Sequence, residues 1–585
     1  MIYRTAFALL VVGAAVLFPV AGLNQSKPPD SQSQPQDDVL RVSTELVQTD
    51  VTVVDKKGRF VDNLSADQFE LIIDGKSQPV SFFERVTSPP RRGAGRDSAA
   101  ASARTGSSTT AAPRRRTVLF FVDDLHLAPD SLVRARKALV EFINQGMSDS
   151  DQVAVTSSSG QIGFLQQFTD NKVVLHEAVA RLSYRATAKF DTDKPPMSEY
   201  MALKIQQGDE SAVSYYVAEM MKQNCFRVTG ETICMINPQS ARTLVLQRAR
   251  GITTMSAPDT ANTLEMLAGL MRTVAQLPGR KMLFLMSEGF YLNDRQTGSM
   301  ERIKKIAEAA GRAGVVIYTL DARGLITESL DATNNIPMDA GGLTRGASIG
   351  DVAASQDGLN ALARDTGGMA LRNTNRPMAE WLTDVLDDVS NYYLLAWRPD
   401  NDEHKRGKFK DIKVVIKGRP DLSVRLRRGY FRTTALPMLN VKKKVDKETT
   451  ARDDDMRVVI DSPIEQREVK TTLSLNLVQM PGIGSKVLAT LEIDRNALAF
   501  DLVGGSETAD VDIGGIFYDD KGKPKNSFVG RLRVLATNAS ETNEPAVYRF
   551  QAWLPAGLYQ VRVGLRDTRS GKTGSAGQWI KVPAL

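Results

Sequence analysis

Acidic and hydroxyl side chains gather where apolar runs end. Asp123-Asp124-Leu125-His126 follows the run Val118–Val122, Ser287-Glu288-Gly289 follows Lys281–Met286, and Asp321 follows Val315–Leu320. Carboxylate, hydroxyl and imidazole are the ligand types a divalent cation takes when a fold brings them to one point. Asp123, Asp124, His126 and Glu288 are therefore the candidate metal ligands, with Mg2+ or Ca2+ as the ion. A second reading stands beside this one, in which the paired carboxylates cap a helix N-terminus or solvate a loop. Nucleophilic catalysis finds less support. The chain has no His-Glu-x-x-His and no Gly-x-x-x-x-Gly-Lys loop, and its three histidines, His126, His176 and His404, are dispersed. The alternative to a binding role is an exported metal-dependent hydrolase using Asp123, Asp124, His126 and Glu288, and chemistry by carboxylates alone stays open beside it.

Those residues need strands to end at a common rim. In an open parallel sheet, ligands lie outside the carboxyl ends of the strands. The apolar runs Val118–Val122, Gln152–Ser157, Gln161–Phe168, Lys281–Met286, Val315–Leu320, Met369–Arg372 and Tyr392–Trp397 read as strands. Between them lie helical patterns at Asp130–Gln145, Asp170–Leu182 with Asp170 as N-cap, Leu264–Leu277, Met300–Gly311, Gly358–Asp365 and Met378–Asp388. Continuous apolar strands alternating with amphipathic helices predict an α/β fold, a doubly wound, mostly parallel sheet over residues 117–398. Two stretches interrupt it: an insertion at about 186–256, helical and rich in Met, and a Gly, Asn and Thr-rich loop at 324–350.

Both flanks read as β-rich. A unit at 39–88 holds strands at Val39–Val54, Phe69–Ile73 and Val80–Val86, with a hairpin turn at Asp74-Gly75. Residues 89–116 have a linker's composition. A β-hairpin extension at 399–432, with strands Phe409–Ile416 and Ser423–Leu426, is expected to join the N-terminal unit in one small sandwich into which the α/β unit is inserted. Residues 457–585 contain only short strands and turns, the pattern of a β-sandwich.

Met1, the cation Arg4 and the apolar run Ala6–Phe18 form a secretory leader ending near Gly22, so export to the periplasm or beyond is expected; membrane attachment would require an uncleaved leader. Cys225 and Cys234, the only cysteines, suit a disulfide closing a short loop or hairpin in an oxidising compartment. The net charge of +7 does not indicate nucleic acid, because the dense basic runs Arg114–Arg116 and Lys442–Lys444 fall in linkers.

A resemblance runs through several of these blocks. Phe120-Phe121-Val122-Asp123, Phe168-Thr169-Asp170, Phe284-Leu285-Met286-Ser287-Glu288-Gly289, Tyr318-Thr319-Leu320-Asp321-Ala322-Arg323-Gly324, Tyr392–Pro399 and Arg428-Gly429-Tyr430-Phe431 resemble, in that order, the bacterial von Willebrand factor A-related domain family abundant in acidobacteria. The resemblance implies a metal-ion-dependent adhesion site of the form Asp-x-Ser-x-Ser, a distant Thr and an Asp-Gly. Asp123 fills the first place; Leu125 and Leu127 replace both serines, Glu288-Gly289 stands for Asp-Gly, and Thr187 is the candidate for the distant hydroxyl. The site is degenerate. The expectation that follows is an exported, non-catalytic protein that binds a protein or glycan partner outside the cytoplasm through the strand-end face.

Overall fold

The structure is a computed structural model that describes residues 47–56, 59–86, 116–148, 151–185, 193–229, 231–277, 281–292, 297–325, 343–389, 391–398, 409–426, 429–431, 456–462, 465–480, 484–503, 505–536 and 544–584. The expected leader, the stretch 39–46, nearly all of the linker 89–116, both basic runs except Arg116, and Thr187 lie outside the described residues.

Strands β1 (Val47–Val54), β2 (Phe69–Ile73), β3 (Lys76–Gln78) and β4 (Phe82–Val86) come first. Asp74 and Gly75, at φ 48° and 80°, make the two-residue turn between β2 and β3, a conformation that Gly adopts without a Cβ penalty. The α/β unit follows with β5 (Thr117–Val122), α1 (Pro129–Glu141), β6 (Gln152–Ser157) and α2 (Lys172–Ala180). The insertion supplies α3 (Glu199–Gln206), α4 (Glu210–Asn224), the hairpin β7 (Cys225–Val228) and β8 (Glu231–Cys234), and the start of the long α5 (Pro238–Val274). Then come β9 (Lys281–Ser287), α6 (Ser299–Ala313), β10 (Val315–Asp321), α7 (Leu343–Thr366), β11 (Ala370–Leu371) and α8 (Met378–Val389).

The central sheet has the order β11-β10-β9-β5-β6, and every pairing in it is parallel. All residues of β5 and β9 are buried, because helices cover both faces. Alternate side chains serve opposite cores. Phe120, Val122 and Phe284 pack with Leu139, Phe142 and Leu382, while Leu119, Phe121 and Leu285 pack with Leu267, Met271 and Ile306.

Four sequence expectations are corrected. Gln161–Phe168 is no strand: Gly160 and Gly163 take positive φ, and a 3-10 turn forms at Gly163–Leu165. The cap of α2 is Asn171, whose Oδ1 accepts from Val173 N and Val174 N, while Asp170 accepts instead from Gln152 Nε2. Helices α5 and α7 begin far earlier than their clearest apolar periodicity, at Pro238 and Leu343, so the end of the expected loop 324–350 is helical. Tyr392–Trp397 does not join the parallel sheet.

That last segment is β12 (Tyr392–Trp397), which runs antiparallel between β1 and β4. Tyr393, Leu395 and Trp397 are fully buried and enter one apolar cluster, while Tyr392 and Leu394 are half-buried and of the alternate positions Ala396 alone is buried. With β13 (Phe409–Ile416), β14 (Ser423–Arg425) and β15 (Gly429–Phe431) it completes two four-stranded sheets, β14-β1-β12-β4 and β15-β13-β2-β3. One apolar cluster joins them, including Val51, Val53, Phe69, Leu71, Tyr393, Trp397, Ile412 and Val414. The Tyr393 hydroxyl ties the cluster to the 61–64 loop, accepting from Leu64 N at 3.1 Å and donating to Val61 O at 3.0 Å.

The C-terminal region contains β16 (Thr471–Met480), β17 (Gly484–Ile493), β18 (Asp501–Val503), β19 (Ser506–Asp519), β20 (Pro524–Leu535), β21 (Ala546–Leu554), β22 (Gly557–Asp567) and β23 (Thr573–Val582). They form antiparallel sheets β16-β17-β21 and β18-β19-β22-β23, with β20 on β19, and share a core of Val487, Leu491, Val511, Phe517, Val561 and Val563 among others. Residues 456–461 add a short helix. This region docks on the turn that replaced the expected strand. Leu558 and Trp579 enter the α/β core, Gln167 Oε1 accepts from Gln560 Nε2 and Arg562 Nη2 at 2.7 and 2.8 Å, and Arg181 pairs with Asp520 at 2.5 Å. No helix among the described residues is long and apolar enough to cross a membrane.

Replacing Tyr393 by Phe leaves the buried Leu64 N–H without its acceptor, and a loss of about 1–3 kcal/mol is expected for the small β module, read by urea unfolding.

Candidate functional site

The rim that β5, β9 and β10 share is set by register: Val122 stands beside Met286, and Asp321 beside Ser287. Asp123 is the first residue past β5, and its N–H donates to Met286 O at 2.9 Å, so its side chain is held at the tip of the sheet. It is fully buried. A buried charge must be compensated within the protein, and here three side chains do it. Oδ1 accepts from Thr263 Oγ1 at 2.8 Å, and Oδ2 accepts from Ser287 Oγ at 2.7 Å and His126 Nδ1 at 2.8 Å. Burial pushes the Asp123 carboxyl up, but the His126 charge and the hydrogen bonds from His126, Ser287 and Thr263 outweigh it and hold the group below its ordinary value. His126 is itself bridged, with Nε2 2.9 Å from Thr260 Oγ1.

Asp124 turns elsewhere. Its Oδ1 accepts from Ser158 Oγ at 2.7 Å and Ser159 N at 2.9 Å, and its Oδ2 from Ser159 Oγ and from Gln161 Nε2 at 2.5 Å, bracing the loop after β6. Glu288 reaches α1 and accepts from Ala128 N at 2.8 Å, satisfying a backbone donor at that helix's N-cap residue. The four candidate ligands thus serve three separate purposes, and only Asp123 and His126 meet. Among the described residues no three His, Cys, Asp or Glu side chains are placed to hold a metal ion. Both oxygens of Asp123 are engaged by the chain's own donors, and Leu125 and Leu127 offer no oxygen in place of the missing serines, so these residues do not fit the divalent cation that the degenerate motif suggests.

Residues the sequence reading passed over complete the rim. Thr260 and Thr263 come from α5, three positions apart and so on one helix face, within a helix whose start was misplaced. Asp321, expected at the rim, is pinned by Arg323 through Nε and Nη2 at 2.9 and 2.8 Å and by Gln356 Nε2 at 2.7 Å. Beside it, Tyr291 donates to Asp351 Oδ1 at 2.5 Å. Burial raises the Asp351 carboxyl above its usual range against the opposing pull of Tyr291 and Arg323, and burial also raises the Tyr291 hydroxyl. Gly289 closes the β9 loop at φ 95°, where an added Cβ would stand 2.1 Å from the Ser355 carbonyl of α7. In the insertion, Cys225 and Cys234 form a disulfide at the base of the β7–β8 hairpin.

No protein-family model matches the chain, and no curated protein matches it. Solved structures give weak likenesses. A β-glucuronidase from Bacteroides uniformis is 12% identical over 19% of this chain, at a TM-score of 0.15, and the chain spans 13% of that enzyme's length. The three N-terminal domains of the type V pili tip protein Mfa5 from Porphyromonas gingivalis are 8% identical, with 91% of this chain and 95% of that one covered at a TM-score of 0.18. At such scores neither likeness bears on fold or activity.

Two outcomes are expected. Because the folded Asp123 carboxyl lies below its unfolded value, its contribution is complete above about pH 4 and fades as the pH falls through the folded value. Asp123→Asn should therefore lose about 3 kcal/mol near neutrality, and the gap to the parent should narrow toward pH 2, as followed by urea unfolding across pH. Gly289→Ala cannot keep the loop against α7 and should lower the unfolding temperature more than Gly571→Ala, whose position also has positive φ but an added Cβ meets only Arg566 Nη2 at 4.0 Å.

Proposed function

We propose that the chain is an exported, non-catalytic binding protein whose α/β unit is von Willebrand factor A-like and whose strand-end face engages a protein or glycan outside the cytoplasm. In this reading the C-terminal sheets form a β-sandwich that stays docked on the β6 side of the α/β unit. The observation that carries it is the closed shell of Asp123. At the place where sheets of this kind recruit reactive groups or ions, the carboxylate is consumed by Thr263, Ser287 and His126. Recognition then falls to the half-buried side chains around it, Glu288, Arg323, Asp351 and Tyr291, which offer paired charges and an aromatic edge rather than a nucleophile.

Two measurements test this. An ion bound at 100 times its Kd would stabilise the fold by about 2.7 kcal/mol, so Mg2+, Mn2+ and Ca2+ are each expected to leave the unfolding temperature unchanged, and a clear rise with any of them contradicts the metal-free reading. On a glycan array and against immobilised envelope proteins, Glu288→Lys should abolish a signal that Lys486→Glu on the C-terminal sheet preserves; the reverse pattern would move recognition to that sheet.

A further inference from the structure

Helix α5 serves two apolar cores that share none of its residues. Near its start Val245 and Ala249 pack with Met201, Ile205, Val213 and Tyr216 of the insertion. Near its end Leu264, Leu267, Met271 and Val274 pack on Leu119, Phe121, Leu283 and Leu285 of the parallel sheet. Between Ala249 and Leu264 every buried position carries a hydroxyl: Thr253, Ser256, Thr260 and Thr263. Ile252 packs half-buried against the insertion core, but from Thr253 to Thr263 no apolar side chain is fully buried, and apolar burial is what fixes helices in proteins.

The waist is also weakened along its backbone. Pro258 has no N–H for the Thr254 carbonyl and its ring crowds that carbonyl, a common cause of helix bending. Thr253 Oγ1 bonds back to Ala249 O and Arg250 O at 3.3 and 3.1 Å, and Ser256 Oγ to Thr253 O at 3.3 Å, bonds that compete with the helical ladder. Two packed bodies joined by a polar segment with a proline have the construction of a hinge. At the same waist, Thr260 and Thr263 hold the β5 loop through His126 and Asp123.

The other edge of the insertion lies over the rim. Tyr200 of α3 packs beside Tyr291 in a tilted arrangement, with ring centroids 6.1 Å apart, and its hydroxyl lies so close to Gly350 that a Cβ there would sit 2.6 Å away. Tyr291 in turn holds Asp351.

We propose that the insertion is a hinged lid on the strand-end surface, turning about Thr253–Thr263 and latched shut by the Asp123–His126–Thr260 bridge. Closed, it covers the Tyr291–Asp351 side of the rim with Tyr200; open, it uncovers that side to a partner. What the lid admits rests on the binding role proposed above, whereas the hinge does not.

Spin labels placed on the full chain through Lys222→Cys in α4 and Lys305→Cys in α6 report the hinge by pulsed dipolar distances. The parent should give one dominant distance, His126→Ala should add a second population, and Pro258→Ala in the His126→Ala background should remove it. One unchanged distribution in all three overturns the proposal. Should His126→Ala fail to fold, amide exchange in the parent still decides. Residues 253–263 should exchange at least about tenfold faster than 241–249 and 264–274, and uniform protection along α5 overturns the hinge. Neither measurement uses a partner, so a failed hinge is distinguished from a failed binding role.

Discussion

Everything at the rim follows from one buried negative charge. A carboxylate withdrawn from water at the tip of β5 costs several kcal/mol unless donors surround it, and that cost falls on whichever elements can supply them. The chain draws them from three places: His126 in its own loop, Ser287 at the end of β9 and Thr263 in α5. The neighbouring strand, the long helix and the loop are thereby held to one point, and the β5–β9 register that brings them there cannot slip without undoing the shell.

The division of labour among the acidic residues is a consequence. Asp124, one residue on, faces the loop after β6, and Glu288 is spent on the entry to α1. Charges that lie close in sequence are thus dispersed among separate structural tasks. The strongest groups of this surface already have partners within the chain.

The central sheet was readable because β5, β9 and β10 are continuous apolar runs, a pattern that burial on two faces requires. Tyr392–Trp397 carries the same pattern and belongs elsewhere, since apolar continuity does not say which sheet a strand enters. The early turns of α5 were hidden because their buried face is made of Ala, Val, Thr and Ser rather than Leu and Ile, and with them went the two threonines of the site. Asp123 and His126 were legible from their place after a strand; that they would bind each other was not, because helical spacing and strand register are both silent about a loop that folds back within three residues.

The α/β unit leaves the small β module after Val86 and returns at Tyr392, and these two residues are partners in one antiparallel ladder. About three hundred residues therefore hang from what is, in topological terms, the tip of a hairpin. Mechanical load applied between Val47 and Phe431 would run through the interstrand bonds of the small module and bypass the suspended unit. Its sheet would stay slack while the support is stretched.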